Sequence, residues 1–221
     1  MSAESVPVIA IDGPSASGKG TVAQLVAAKL GYHYLDSGAL YRIVGVAATQ
    51  QNIALNDANH LGMLASRMDI GFQGDEIILD GKNITSLVRS ERGGQCASEV
   101  AVHPPVRAAL LNLQRDMRKM PGLVGDGRDI GSVIFPDAKL KIFLTASAEV
   151  RAQRRFLQYQ QKGITADYQQ ILADLQARDL RDSARSAAPL LQTPDALLLD
   201  TSERTIEQAV DFVLNAYKNK Y

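Results

Sequence analysis

The chain has 221 residues, enough to bury a sizeable core in one domain with inserts. Lys plus Arg and Asp plus Glu each number 24, so the net formal charge is zero; no overall basic field points to nucleic acid or a membrane surface, and any phosphate ligand must be held locally. The single Cys96 excludes an internal disulfide, MSAESVPVIAIDG lacks the features of a signal peptide, and no apolar run approaches the roughly 18 residues that cross a bilayer, so a cytoplasmic protein is expected.

Short apolar runs alternate with helical patterns, the order of an α/β protein with a parallel sheet covered on both faces. Val6 to Ile11 reads as a first buried strand. Gly13-Pro14-Ser15-Ala16-Ser17-Gly18-Lys19-Gly20-Thr21 follows, with P-loop spacing between a strand and a helix. Backbone N–H groups of such a loop and the helix N-terminus bind phosphate oxygens, and Lys19 can reach the β and γ phosphates of a nucleotide. The general pattern has Ser or Thr directly after the lysine; here Gly20 intervenes, which leaves the usual magnesium-binding hydroxyl unassigned. Val22, Leu25, Val26 and Leu30 then recur at helical spacing until Gly31.

Tyr32 to Leu35 reads as a second strand ending at Asp36, and Asp36-Ser-Gly-Ala-Leu-Tyr-Arg42 enters a helix with Arg42 offering a two-pronged contact to a phosphate. Met68 to Thr85 alternates as strands do, with an Asp80-Gly81 turn signal, and reads as an antiparallel insert. Glu91 to Cys96 puts Gly93 and Gly94 where a helix is expected, at about 1 kcal/mol each, which loosens the expected orientation of Ser98. Cys96 reads as core packing, and Val106, Leu110, Leu113, Met117 and Met120 as the core face of a helix. His33, His60 and His103 are too scattered for a metal site.

Leu123 to Gly125 reads as a third strand, and Gly125-Asp-Gly-Arg-Asp129 follows it. There Asp126 is a candidate magnesium holder, Arg128 a phosphate clamp, and Asp129 an acceptor for the amino group of a cytosine; an Asx turn between strand and helix is the alternative. Leu140 to Leu144 and Ala196 to Leu199 complete a five-stranded sheet. Between them, Arg151 to Arg185 reads as a helical hairpin turning at Gly163, with Arg151, Arg154, Arg155, Arg178, Arg181 and Arg185 available to close over phosphate. Arg178, Asp182 and Arg185 share one helical face, although a solvated ladder of charges has the same spacing. The expected organisation is one domain: a core of about 1–62, 105–150 and 188–221, an insert of about 63–104 and the helical hairpin within about 151–187.

The stretches IDGPSASGKGT, LDSGALYR, ASEVAVHPPVR, PGLVGDGRDIGSVIFPDAKLKIFL and RDLRDSARSAAPL resemble, in order and over nearly the whole chain, the bacterial cytidylate kinase family of P-loop nucleoside monophosphate kinases. The resemblance implies a P-loop NTPase fold with a monophosphate-binding insert and a mobile lid, and transfer of phosphate from ATP with magnesium to CMP and dCMP. It implies that Gly13 to Thr21 bind ATP, that Ser98, Arg107 and Asp129 read the cytosine, and that Ser37 and Tyr41 line the monophosphate pocket. By the same resemblance Arg42, Arg128 and Arg185 hold the acceptor phosphate, Asp182 binds the ribose, and Arg154, Arg178 and Arg181 correspond to lid or hinge arginines. Magnesium is expected to be held mainly through ATP phosphates and water, with Asp126 as a candidate ligand, and the enzyme to be a monomer.

Phosphoryl transfer asks mainly for positioning and positive charge, and an anionic acceptor needs no strong base. A P-loop kinase for UMP, dTMP or a small metabolite is the nearest alternative. A non-enzymatic P-loop switch is a further one, but the chain lacks the Asn-Lys-x-Asp motif of guanine binders.

Overall fold

The structure is a computed structural model that describes residues 6–73 and 76–220. In chain order the elements are β1 (Val8–Asp12), α1 (Lys19–Leu30), β2 (His33–Asp36), α2 (Ser37–Gln50), α3 (Ala58–Ala65), β3 (Ile70–Gln73), β4 (Glu76–Leu79) and β5 (Lys82–Asn83). They continue with α4 (Thr85–Val88), α5 (Glu91–Val100), α6 (Pro104–Asp116), β6 (Leu123–Gly127), a π-helical turn (Ile130–Ile134), β7 (Leu140–Thr145), α7 (Ala148–Gln161), α8 (Tyr168–Ala184), β8 (Leu197–Asp200) and α9 (Ile206–Lys218). The chain divides into two compact units, one that runs to Leu35 and resumes at Met117, and one that spans Asp36–Asp116.

The first unit is built on a five-stranded parallel sheet in the order β2-β6-β1-β7-β8. Its central strand VIAID is apolar at four successive positions and buried throughout, as a strand covered on both faces must be. Ile9 and Ile11 face α1 and α9 in a core with Val22, Val26, Val124, Ile142, Leu144, Val210 and Val213; each such side chain stabilises the fold by about 1.5–3 kcal/mol. Ala10 points to the opposite face, where a Cβ at Gly131 in the π turn would lie 3.3 Å from it. Because β6 and β7 flank β1 in parallel, the loops after β1 and β6 emerge at the same carboxyl edge, and the chain runs to opposite sides of β1 from there. That switch point is where open α/β sheets bind ligands.

Helices α7 and α8 form the expected hairpin around Gly163, whose φ is +68°. The hairpin has a small core of its own in Ala152, Ile171 and Leu175 with Phe156, Tyr159, Tyr168 and Leu172. Asp167 caps α8 by accepting from the N–H groups of Gln169 and Gln170.

In the second unit the antiparallel sheet β3-β4-β5 occupies the region predicted from the alternation. Asp80 and Gly81 both have positive φ, +49° and +76°, which matches the twist of a two-residue hairpin. Helix α6 ends at Asp116, before Met117 and Met120, and of the predicted apolar series only Val106 and Leu110 are fully buried; Leu113 is 37% and Met120 69% exposed. Helix α5 runs unbroken through Gly93 and Gly94, capped by Ser90, whose hydroxyl accepts from the Gly93 N–H. A Cβ at Gly93 would stand 2.7 Å from the carbonyl oxygens of both Leu87 and Val88. The glycine is therefore what lets α5 pack on the end of α4, and its cost in helix propensity is offset by that close approach.

Candidate functional site

The first unit gathers the phosphate loop and the turn after β6 at the carboxyl edge of the sheet. Gly13 lies so close to β7 that a side chain there would overlap the Leu144 carbonyl. Ala16 and Gly18 have positive φ, and α1 begins at Lys19. The Lys19 side chain is buried under the loop and donates to the Pro14 carbonyl over 3.0 Å. The Ser17 hydroxyl is buried without a hydrogen-bond partner among the described residues, while Thr21 is exposed.

A P-loop turns its N–H groups inward, so its carbonyls face the protein and require donors. Arg151 donates to the Ser15 carbonyl over 3.1 Å. Arg154 donates to the Ser17 carbonyl over 3.2 Å, and Thr201 donates to the same oxygen over 3.2 Å. Arg154 also donates to the Thr201 carbonyl over 2.6 Å. The structure thus places Arg154 against the loop backbone and joins the loop to the segment after β8.

Asp12 is the hinge pin between the loop and the β6 turn. Its two carboxylate oxygens accept from the N–H groups of Ile130 and Gly131, each over 2.8 Å, and the next residue, Gly13, donates to the Gly127 carbonyl over 3.3 Å. Burial pushes the Asp12 carboxyl up to about 6; its two backbone donors and Lys19 oppose the rise, and Asp129 adds to it. The turn it holds is π-helical: Ile134 donates to Asp129 and Phe135 to Ile130, five residues apart. Asp129 is 3% exposed and stands at the N-cap position of this turn without a side-chain cap hydrogen bond to it.

Asp126 is also buried and accepts from the Tyr34 hydroxyl over 2.7 Å. A Cβ built on Gly20 would lie 3.8 Å from either of its carboxylate oxygens. A hard oxygen donor therefore stands beside the position from which a P-loop hydroxyl is missing, and such a donor suits magnesium. Among the described residues no cluster of three or more His, Cys, Asp or Glu could hold a metal on its own.

Arg128 pairs with Asp182 of α8 over 2.7 Å. Burial alone would raise the Asp182 carboxyl, but Arg128, supported by Arg178 and Arg185, outweighs it and holds the group below the usual carboxylate range. Arg185 ends α8 and donates through Nε to the Ala188 carbonyl over 2.5 Å. Arg181, in the last turn of α8, is exposed.

In the second unit Asp36 caps α2 by accepting from the Ala39 N–H, and the Ser37 hydroxyl donates to Gln114 of α6 over 2.7 Å. Arg42 donates to the Val88 carbonyl over 3.2 Å. The Arg107 guanidinium stands 5.7 Å from the centre of the Tyr41 ring and donates to the Ala101 carbonyl. The Ser98 hydroxyl is buried on α5 and has no hydrogen-bond partner among the described residues. Sequence reasoning missed Asp12, Tyr34, Gln114 and Thr201 as supports. The one legible signal was Asp12, a charged residue closing an otherwise apolar strand.

The cytidylate kinase family model matches residues 9–219. The chain is 56% identical over 211 residues to a cytidylate kinase of Polynucleobacter necessarius subsp. necessarius (strain STIR1), covering 96% of this chain and 98% of that protein. It is 56% identical over 209 residues to one of Cupriavidus necator, covering 95% and 94%. For one of Nitrosomonas europaea the figures are 52% over 217 residues, covering 98% and 97%. Among solved structures, an uncharacterized protein from Eubacterium ventriosum shares the fold with a TM-score of 0.54 at 12% identity, covering 96% of this chain and 98% of that one.

Proposed function

The chain belongs to the cytidylate kinase family, and from that premise we propose that it transfers the terminal phosphoryl group of ATP to CMP and dCMP. The observation that carries the reading is the hydrogen bonding of Gly13 to the Gly127 carbonyl and of the preceding Asp12 to the Ile130 and Gly131 N–H groups, which lie on either side of Arg128 and Asp129. Within the first unit it ties the loop proposed to meet the donor phosphates to Arg128 and Asp129, which are proposed to hold and read the acceptor.

In this reading the N–H groups of residues 13–21 and the Lys19 ammonium bind the ATP phosphates. Arg154 reaches the donor side by ordering the loop, with its guanidinium on the Ser17 carbonyl. Asp126 would hold magnesium together with phosphate oxygens and water; when bound, the ion neutralises charge on the phosphates. Arg128, Arg178, Arg181 and Arg185 in the first unit, and Arg42 in the second, carry the positive charge proposed to hold the acceptor phosphate and the charge that builds during transfer. Asp182 is assigned to the ribose hydroxyls. Asp129 accepts from the cytosine amino group, Arg107 donates to the ring acceptors, and Ser98 adapts to either role. Ser37 and Tyr41 line the monophosphate pocket. We place this activity in the cytoplasm and in a monomer; among the described residues no helix is long and apolar enough to cross a membrane.

The test is ADP release in a coupled assay with CMP, dCMP, UMP, dTMP and shikimate as acceptors. CMP and dCMP should be turned over with the highest efficiency. Equal or better turnover of UMP, dTMP or shikimate would sink the assignment in favour of another P-loop kinase.

A further inference from the structure

Arg151 is 4% exposed, and its hydrogen bonds reach three different parts of the first unit. Its Nε donates to the Ala146 carbonyl just past β7 over 2.9 Å, and its Nη1 donates to the Ser15 carbonyl of the phosphate loop over 3.1 Å. Nη1 and Nη2 together fork onto the two carboxylate oxygens of Asp179 on α8, at 3.1 and 2.5 Å. A planar guanidinium that meets a carboxylate with two prongs has a fixed orientation, so the same ring of donors cannot keep the loop carbonyl if α8 shifts.

Asp179 directly follows Arg178 and lies three residues before Asp182, which in turn pairs with Arg128 of the β6 turn. A continuous set of polar contacts therefore runs from Ser15 through Arg151 and Asp179 into the helix that carries Arg178, Asp182 and Arg185. A buried ion pair is a weak source of net stability, because desolvation offsets much of its attraction, so stability alone does not account for it. Arg154 provides an internal contrast. It also holds a loop carbonyl, that of Ser17, but its other prong goes to Thr201 rather than to α8.

We propose that Arg151 and Asp179 are positioning residues that couple the phosphate loop to α8, so that binding of the donor's phosphates orders the acceptor-facing side chains of that helix. The inference rests on the functional reading above. Coupling of this kind is a free energy shared by two sites, and typical values change one affinity by about 5- to 150-fold when the other site is filled.

The experiment measures the CMP dissociation constant by calorimetry on the full chain, with and without a nonhydrolysable ATP analogue and magnesium, alongside CMP turnover and Tm. In the unmodified protein the analogue should tighten CMP binding by about tenfold. In Asp179→Asn the fork is lost; the tightening should fall below about twofold while CMP affinity without the analogue changes less than about threefold, and KM for CMP at saturating ATP should rise more than kcat falls. Arg151→Lys, which keeps the charge but not the fork, should behave alike, and it carries the test if Asp179→Asn does not fold. Arg154→Lys should weaken the analogue's own binding yet retain the coupling. A folded Asp179→Asn or Arg151→Lys with a lower Tm but an undiminished coupling overturns the inference, as does an absence of coupling in the unmodified protein that turns over CMP. Failure to turn over CMP at all instead overturns the functional reading.

Discussion

Ser17 and Ser98 are both interior serines whose hydroxyls meet no partner among the described residues, but the segments that carry them are built in opposite ways. In the phosphate loop side chains arrange a backbone: Arg151, Arg154 and Thr201 take the outward carbonyls of Ser15 and Ser17, and Asp12 fixes the neighbouring turn. In α5 a backbone arranges a side chain, because Gly93 lets the helix close on the carbonyls of Leu87 and Val88 and so sets where Ser98 stands. The first segment should be sensitive to removal of a charge or a donor. The second should be sensitive to added bulk.

The sharpest test of the first half is Lys19→Ala. The ammonium donates to the Pro14 carbonyl and lies outside the apolar core, so its loss should leave the fold intact. Transfer should fall by about 10²- to 10³-fold or more, since preorganised charge at a transferring phosphoryl group is worth that much. Retention of more than about a tenth of the activity, read as ADP release, would remove the lysine from the chemistry.

Asp129→Ala asks whether the turn pinned by Asp12 reads the base. Cytosine presents an amino donor where uracil presents a carbonyl acceptor, so the loss of a charged acceptor should lower kcat/KM for CMP by about 10²-fold and for UMP much less. An equal loss with both substrates would mean that Asp129 serves the turn and not the base.

The contrast between these segments also explains what could be read beforehand. The loop, the Asp126–Asp129 turn and the arginine hairpin are contiguous motifs, and their strand and helix contexts follow from local periodicity; all appear close to where the pattern puts them. Ser37, Ser98 and Arg107 are spread over more than sixty residues, and only the family resemblance joined them. Supports such as Gln114 and Tyr34 were illegible because their partners lie 77 and 92 positions away, a separation that no local pattern records. Gly93 misled in the other direction: propensity weighs a helix against the unfolded chain and is blind to the carbonyls of a neighbouring turn.

Gly93→Ala probes the second half of the contrast. Alanine favours the helix by about 1 kcal/mol, yet its methyl must displace two carbonyls, and overpacking of that kind costs about 1–3 kcal/mol. A net fall in Tm of up to about 8 °C is expected, with a raised KM for CMP and an unchanged KM for ATP. A stabilised protein would show that α5 has room to move and that the glycine is not needed for its packing.

The smallest effect concerns Asp12, and its sign sets it apart from Asp182. A carboxyl raised from 3.8 to about 6 binds its proton more tightly in the native state. Its contribution to stability is therefore fully present below pH 3.8 and is lost as pH rises through 6. Asp182, held below the usual range, contributes in the opposite direction: its stabilisation is present above the unfolded value and is lost as the solution is acidified through the lower native value. Asp12→Asn removes the first effect and leaves the second. Between pH 5 and pH 7 the unmodified protein should thus lose about 1 kcal/mol relative to the variant, a relative shift in Tm of about 2–4 °C. The ionised carboxylate accepts charge-assisted hydrogen bonds from both the Ile130 and Gly131 N–H groups, whereas protonation turns one oxygen into a hydroxyl that accepts more weakly. Thermal melts of both proteins across that range are the measurement. Parallel curves would show that Asp12 is ionised at every pH tested, and that the turn carrying Arg128 and Asp129 is held without any cost of burying its charge.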